Sequence, residues 1–439
     1  MRKALALVGS IIFLGLLGSF WNPDKREWKI TQLTACRAGS SGAPQMTGDG
    51  RIVLFVSTCD LAGKNPDMNA EIFRWEHGTF TQLTDTANCR FMDPALSPDG
   101  RRLAFVTNCP LDGKNKDQGL ELGLMDGPGE LSVLTQGKGY VSRRPAWSAD
   151  SRLLVFESQA DLADNNLDHS NEIFLADLSS PEPALKRISN TLPPGGCGHP
   201  ALAGAAVIAR CNDDVPGTRH APGVADLPVI VEGRTVGGNP DKNQELFSFD
   251  LAGKPRQLTY TMYCHNGPPS VQPQGRAIVF MSDCDFSGKM AASRKNALYV
   301  LTDQPRRAFP RLDFYAASFA WSADGKTLAM TSSFGDSSVN PQRNQEIFIT
   351  HMDPPSLAGG GDRPQLTDPS PVTDFLFGAS GGVAVNRDGT SLVFESNTNL
   401  DHKNPDGGTE IYTAVHEDAP VNEDNDDDDA SPIAGDTAD

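Results

Sequence analysis

Between Trp28 and Val415 the chain alternates short apolar runs with polar, glycine-bearing stretches, and no stretch there has the period of a long amphipathic helix. The runs Ile52–Val56, Leu103–Val106, Leu153–Phe156, Ala277–Met281, Leu328–Met330 and Leu392–Phe394 are of strand length. A small polar turn precedes each: Thr47-Gly-Asp-Gly50, Ser97-Pro-Asp-Gly100, Ser148-Ala-Asp-Ser151, Gln272-Pro-Gln-Gly275, Ser322-Ala-Asp-Gly325 and Asn386-Arg-Asp-Gly389, with a degenerate copy at Ala203-Gly204. Asp and Gly at these places suit tight hairpins. After each run come Phe-x-Ser or a variant, an acidic loop, Glu-Ile-Phe or a variant, and then Gln-Leu-Thr or a variant. The last of these motifs recurs at Thr81–Thr84, Ser132–Thr135, Lys186–Ser189, Arg256–Thr259, more weakly at Phe309–Leu312, and at Pro364–Thr367.

Each unit of about 50 residues thus supplies four short strands: A before the turn, B through Phe-x-Ser, C through Glu-Ile-Phe and D through Gln-Leu-Thr. One such sheet cannot bury both of its faces, whereas radially stacked sheets bury one another. The predicted fold is an all-β, seven-bladed β-propeller of four-stranded antiparallel blades, with six blades as the alternative count. Thr31-Gln-Leu-Thr34 precedes any A strand, and the last unit ends at Ile411–Val415 without a D strand. The N-terminal strand is therefore predicted to complete the last blade and remove both free edges.

Ser-Pro-Asp-Gly, Ile-x-Phe and Gln-Leu-Thr, recurring over Trp28 to Val415, resemble the WD-like propeller repeats of the TolB type. The resemblance implies the fold and carries no function with it. TolB itself sets a smaller α/β domain ahead of a six-bladed propeller, and neither feature is read here.

Arg2 and Lys3, the apolar run Ala4–Leu17 and the small residues Gly18 and Ser19 make residues 1–20 a signal peptide or an uncleaved membrane anchor. The propeller then occupies residues 28–416. Of the net charge of −18, ten acidic residues lie in 417–439 with no basic one among them, so an acidic, disordered tail is expected there. The acidic balance excludes nucleic acid as a partner. Contact with a membrane is expected only through the N-terminal segment, and a monomer is expected.

Cys59, Cys109, Cys211 and Cys284 end B strands, and Cys36, Cys89, Cys197 and Cys264 precede the A strands of the same units. The units with Ala160, Phe334 and Thr398 at the end of B also lack the partner before A. In an antiparallel hairpin the start of A lies beside the end of B, so the predicted bridges are Cys36–Cys59, Cys89–Cys109, Cys197–Cys211 and Cys264–Cys284. Disulfides and a leader together predict an extracytoplasmic, periplasmic or secreted, protein.

Two surfaces carry candidate chemistry, both on the face where the B–C and D–A connections emerge. The B–C loops repeat side-chain oxygens: Asp60, Asn65, Asp67, Asn69 and Glu71; Asn115, Asp117 and Glu121; Asp161, Asn165, Asp168, Asn171 and Glu172; Asn239, Asp241, Asn243 and Glu245; Asn340, Asn344 and Glu346; Asp401, Asn404, Asp406 and Glu410. Calcium is one reading, since it takes six to eight oxygens. No other cofactor is implied. Turn capping is the other reading, with the Glu bonding the hydroxyl that ends strand B at Ser57, Thr107, Ser158 or Ser396. The D–A connections bring Arg37, Arg90, Arg143, Arg144, His199, His265 and Tyr315 toward the channel mouth, a site for an anionic ligand or a protein partner's carboxylates. On this reading the cations serve recognition; the alternative is that they neutralise the acidic loops.

Gly378-Ala-Ser-Gly-Gly382 has the letters of a nucleophile elbow but lies where an A strand runs, without the strand–turn–helix context. No residues are left over for a hydrolase domain beside the propeller. A non-catalytic binding or scaffold protein is the expectation. The alternatives are a lyase- or hydrolase-type propeller enzyme with His199, His265, Arg90 and Arg144 at the channel, and a structural envelope or surface protein.

Overall fold

The computed structural model describes residues 28–416 apart from 128, 181–182, 214, 216–228, 232–233, 237–238, 240, 285, 287–291, 303–304, 309–315, 334–342, 354–364, 367–369 and 373–379. The N-terminal segment, the acidic tail, Tyr315, Phe334 and Asn340 lie outside the described residues. So do the start of Gly378–Gly382 and the Phe309–Leu312 segment.

Strand pairing gives seven antiparallel blades. In blade one the strands are Ser41–Met46, Ile52–Ser57, Glu71–Glu76 and Thr79–Gln82. Blade two runs Phe91–Leu96, Arg102–Thr107, Glu121–Asp126 and Glu130–Val133. In blade three they are Ser142–Trp147, Leu153–Ser158, Glu172–Asp177 and Leu185–Arg187. Blade four has Cys197–Ala203, Ala206–Cys211, Glu245–Asp250 and Pro255–Gln257, with a small extra hairpin, Val229–Val231 and Arg234–Val236, between B and C. Blades five and six follow the same order, and Ser370–Pro371 adds a fifth strand to blade six. The A strand of each blade touches the A strand of the next, from blade one round to blade seven and back to blade one. That unbroken circuit is the wall of the central channel.

Closure follows the orphan motif. Trp28–Gln32 pairs antiparallel with Glu410–His416, from Trp28 opposite His416 to Gln32 opposite Tyr412.

The repeated motifs have physical causes. The Phe of Phe-x-Ser and the aromatic residue of strand C stand opposite one another: Phe55 on Phe73, Phe156 on Phe174, Phe280 on Tyr299 and Phe394 on Tyr412, stacked with centroids 5.8–6.0 Å apart. Such cross-strand pairs weld B to C within each blade. In blade two Phe105 lies over Gly123, where a Cβ would stand 2.1 Å from its ring. The hairpin serine works twice: Ser97 Oγ donates to Asp99 Oδ1 and accepts from the Arg102 amide, and Ser148 and Ser322 repeat this.

Glu and Thr recur because they bond to each other. The buried Glu that opens strand C accepts the hydroxyl that ends Gln-Leu-Thr: Glu71 from Thr84, Glu121 from Thr135, Glu172 from Ser189, Glu245 from Thr259 and Glu410 from Thr34. Its other oxygen takes a backbone amide of the D–A connection, at Thr86, Gly137, Thr191, Thr261 and Cys36. This corrects the expected partner. The hydroxyls ending strand B turn instead to strand A, as Ser57 to Ser41 and Ser158 to Ser142; each stands opposite its Glu in the B–C ladder, but both oxygens of that Glu are already taken by donors beyond strand D. Thr84→Val should lower stability by about 1.5–3 kcal/mol in denaturant unfolding, since it leaves a buried carboxylate short of a donor. An unchanged midpoint would show that Glu71 does not depend on that hydroxyl.

A second correction concerns blade five. Among the described residues its D strand is Pro305–Arg307, paired with Tyr299–Leu301, ahead of the expected Phe309–Leu312, and the expected segment lies outside the described residues.

All four cysteine pairs are joined as expected: Cys36–Cys59, Cys89–Cys109, Cys197–Cys211 and Cys264–Cys284. Cys197 and Cys211 face each other in the A–B ladder. Cys59 and Cys109 lie two residues past the last ladder pair of their hairpins.

Candidate functional site

The A strands carry an irregularity that decides where their side chains point. In blades one to four the A–B register slips at Gly42/Gln45, Met92/Ala95, Arg143/Ala146 and Gly198/Ala201. The bulged residue, always followed by proline, has positive φ: Ala43 at 51°, Asp93 at 46°, Arg144 at 55° and His199 at 53°. A bulge re-aims a side chain, and left-handed backbone at a residue with a Cβ is held only where the surroundings enforce it. In blades three and four those residues are Arg144 and His199.

Both open onto a cleft of about 480 Å³ between blades three and four, lined among others by Arg143, Arg144, Glu157, His199 and Arg210. Glu157 lies at its base, 1% exposed. Arg143 Nε and Arg144 Nη1 each donate to Glu157 Oε1 at 2.5 Å, and the His199 amide donates to Oε2 at 2.7 Å. Gly198 permits this approach, because a Cβ there would stand 2.5 Å from Glu157 Oε2. Burial pushes the Glu157 carboxyl up, but the His199 amide and the two guanidiniums outweigh it and hold the group below its usual range. Arg210 is lowered by burial and then by Arg144. Among the described residues it makes no ion pair and no side-chain hydrogen bond. Burial, followed by the fields of Arg144 and Arg210, pushes the His199 imidazole down to about 4, so it is neutral at physiological pH. On the same face Tyr140 stacks on His169, which lines the cleft, with centroids 3.8 Å apart.

The structure thus gathers Arg143, Arg144 and His199 from the expected cations. Arg37 and Arg90 are exposed and outside the cleft, with the Arg90 amide bonded to Asn108. His265 is exposed, its amide bonded to Asp283, and it too lies outside the cleft lining. Distance from the cysteine does not give the equivalent position in each blade. By ladder position Arg143 and Arg144 match Met92 and Asp93, not Arg90. Glu157 and Arg210 were missed, although a charge stands in strand B where blades one and two have Val56 and Val106.

The B–C loops have a common construction. The side-chain amide of Asn65, Asn115, Asn166, Asn239 and Asn404 donates to the carbonyl four residues on. Blade three uses Asn166, not Asn165, whose amide instead joins that of Asn166 in donating to Asp161 Oδ1. Asp60 accepts from the Asn65 amide, Asp168 from Ser170, Asp241 from the Tyr263 amide and Asp401 from the Gln32 amide. Burial pushes Glu245 up to about 7 against hydrogen bonds from Thr259, Thr261 and Asn243. Among the described residues one group of three His, Cys, Asp or Glu ligand atoms lies within 4.8 Å, namely Cys264, Asp283 and Cys284. Its sulfurs are bonded to each other, so it is not a metal site.

No family model and no curated protein matches the chain. Solved structures do. An oligogalacturonate lyase from Vibrio parahaemolyticus matches over 88% of this chain and 93% of its own at 15% identity and a TM-score of 0.53. An oligogalacturonate lyase in complex with manganese matches over 90% and 95% at 16% identity and a TM-score of 0.53. The β-propeller domain of the Trilobed protease from Pyrococcus furiosus matches over 85% and 95% at 12% identity and a TM-score of 0.51. At these identities the likeness is one of fold. It corrects the expectation that the chain is not an enzyme: that expectation leaned on the lack of a second domain, and the lyases are matched over almost their whole length. A propeller of this kind needs no added domain to be an enzyme.

Proposed function

We propose that the chain is a propeller enzyme of oxidising, extracytoplasmic surroundings that holds an acidic sugar in the cleft between blades three and four and cleaves it by β-elimination. The observation that carries this reading is Arg210, a partly buried guanidinium with no acceptor among the described residues, set beside two more arginines and a neutral imidazole. A carboxylate is the ligand such a set satisfies best, because guanidinium donors match it in pairs. The likeness to oligogalacturonate lyases supports a uronate as the bearer of that carboxylate, and the Tyr140–His169 stack supplies a flat face for a pyranose ring. The four disulfides support the compartment.

The chemistry asks little of the fold beyond this. His199 takes the proton from the carbon beside the carboxylate, the electron pair forms a carbon–carbon double bond, and the bond to the leaving sugar oxygen breaks. The imidazolium returns its proton to that oxygen. The arginines neutralise the charge that builds on the carboxylate as the proton leaves. An incoming anion also offsets the field that depresses His199, so binding restores basicity to the group that needs it. Manganese, present in one of the matched lyases, is not suited by three guanidiniums and one imidazole, and no step here uses it.

The test is ultraviolet detection of an unsaturated product from oligogalacturonates. Arg210→Ala should lower kcat/KM by about 100-fold or more, and His199→Gln should abolish turnover while binding persists. As pH falls, kcat/KM should be lost through about 4 as the imidazole protonates, and kcat should be lost at a higher pH. Absence of any unsaturated product from the wild type would sink the lyase reading. Loss of binding in Arg210→Ala without turnover in either protein would reduce it to anion capture.

A further inference from the structure

The residue four places after the loop asparagine sorts the blades into two kinds. In blades one and four it is Asn69 or Asn243, whose amide fills a nest of oxygens: Asn69 Nδ2 donates to Glu71 Oε1 at 2.8 Å, Thr86 O at 2.7 Å and Cys89 O at 3.2 Å, and Asn243 Nδ2 to Thr261 O at 3.0 Å, Thr261 Oγ1 at 2.9 Å and Cys264 O at 2.8 Å. In blade three Ser170 Oγ donates to Glu172 Oε1 at 2.8 Å. In blades two and seven the residue is glycine, Gly119 or Gly408, and supplies no donor.

The oxygens stay. The point where a Cβ of Gly119 would stand lies 3.6 Å from Glu121 Oε1, 3.8 Å from Asn115 Oδ1 and 3.8 Å from Asp117 Oδ2. At Gly408 it lies 3.7 Å from both Asp406 Oδ1 and Glu410 Oε1. Asn115 is 5% exposed and Asn404 2%, and the Oδ1 of each is buried without a hydrogen-bond partner. Asn65 and Asn239 share that unpaired oxygen, but in their blades an amide already occupies the space. In blade three the oxygen of Asn166 is met by a cation, Arg187 Nη1, at 3.4 Å. The two carboxylates and the amide oxygen around Gly119, and the two carboxylates around Gly408, are acceptors only. A water would leave two negative charges uncompensated.

We infer that the B–C loops of blades two and seven each bind one hard divalent cation, calcium by size and ligand type, through Asn115, Asp117 and Glu121 and through Asn404, Asp406 and Glu410. Calcium takes its oxygens at about 2.3–2.6 Å, so the loop side chains would close on the ion, with water completing the shell on the open side. Magnesium, which demands a smaller octahedron, suits these spread oxygens less. The blade seven site also bears on closure, because Glu410 receives Thr34 and Cys36 from the N-terminal strand.

The test uses the intact chain stripped of metal. Titration calorimetry with calcium chloride should show two sites per chain with Kd of about 0.1–1 mM, and 10 mM calcium should raise Tm by about 5 °C. The double variant Gly119→Asn with Gly408→Asn places the blade one amide in both nests; neither glycine has a backbone that disfavours a side chain, and both Cβ positions have ordinary contacts. It should melt in chelator at or above the wild-type temperature and gain nothing from calcium. No calcium uptake by the wild type at 10 mM, equal uptake of magnesium, or undiminished calcium binding by the folded double variant would each overturn the assignment.

Discussion

A chain lacking residues 1–34 should lose cooperative unfolding at the native temperature, or melt at least about 10 °C lower, because the ring is then open at blade seven. The deletion removes the partner of Glu410–His416 along five paired residues and exposes a C strand that is otherwise interior. Trp28 and Ile30 no longer pack on the cluster of Tyr412 and Ala414. Glu410 loses the Thr34 hydroxyl, a charge-assisted bond whose loss costs about 1.5–3 kcal/mol by itself. The sum is a large part of the 5–15 kcal/mol that a folded domain commands. A synthetic peptide spanning residues 28–35 should rescue the melting temperature by adding the missing strand. An unchanged melting curve for the truncated chain would show that the first strand is an ornament of blade seven rather than its lock.

This closure is legible in the sequence because a repeat can be counted. One Gln-Leu-Thr stands before any A strand, and one unit ends without its own. The same counting pairs the cysteines, since both partners are present or absent together. The cleft is legible only in part. Arg143, Arg144 and His199 stand out as cations on an acidic chain, but their equivalence across blades depends on a bulge, and a one-residue slip in register is invisible to spacing. Arg210 and Glu157 hide inside apolar runs, where a single charge reads as noise until the ladder places both at the same depth in neighbouring blades. The Glu–Thr bonds are hidden for another reason: both residues lie inside separate motifs, and nothing in one dimension says that strand C's first side chain meets the hydroxyl two places past strand D.

Reduction of all four disulfides should unfold the chain at 37 °C or shift its denaturant midpoint more than any single substitution. The bridged cysteines are 23, 20, 14 and 20 residues apart, and loops of that size give about 3 kcal/mol each in the chain-entropy model. Four together are of the order of the whole stability of a domain. The covalent contribution is separable from packing here, because blade three does without a bridge: Ala160, two residues past strand B and 1% exposed, donates its amide to Ser158 Oγ of a Ser142–Ser158 hydroxyl pair. Blade one has the matching Ser41–Ser57 pair, so Cys36→Ala with Cys59→Ala gives it blade three's arrangement. That variant should lose about 3 kcal/mol with its spectra otherwise native, measured against the oxidised parent in guanidinium. Equal midpoints for the reduced and oxidised chains would mean that the blades hold by packing alone, and the case for a compartment that oxidises thiols would fall with the bridges.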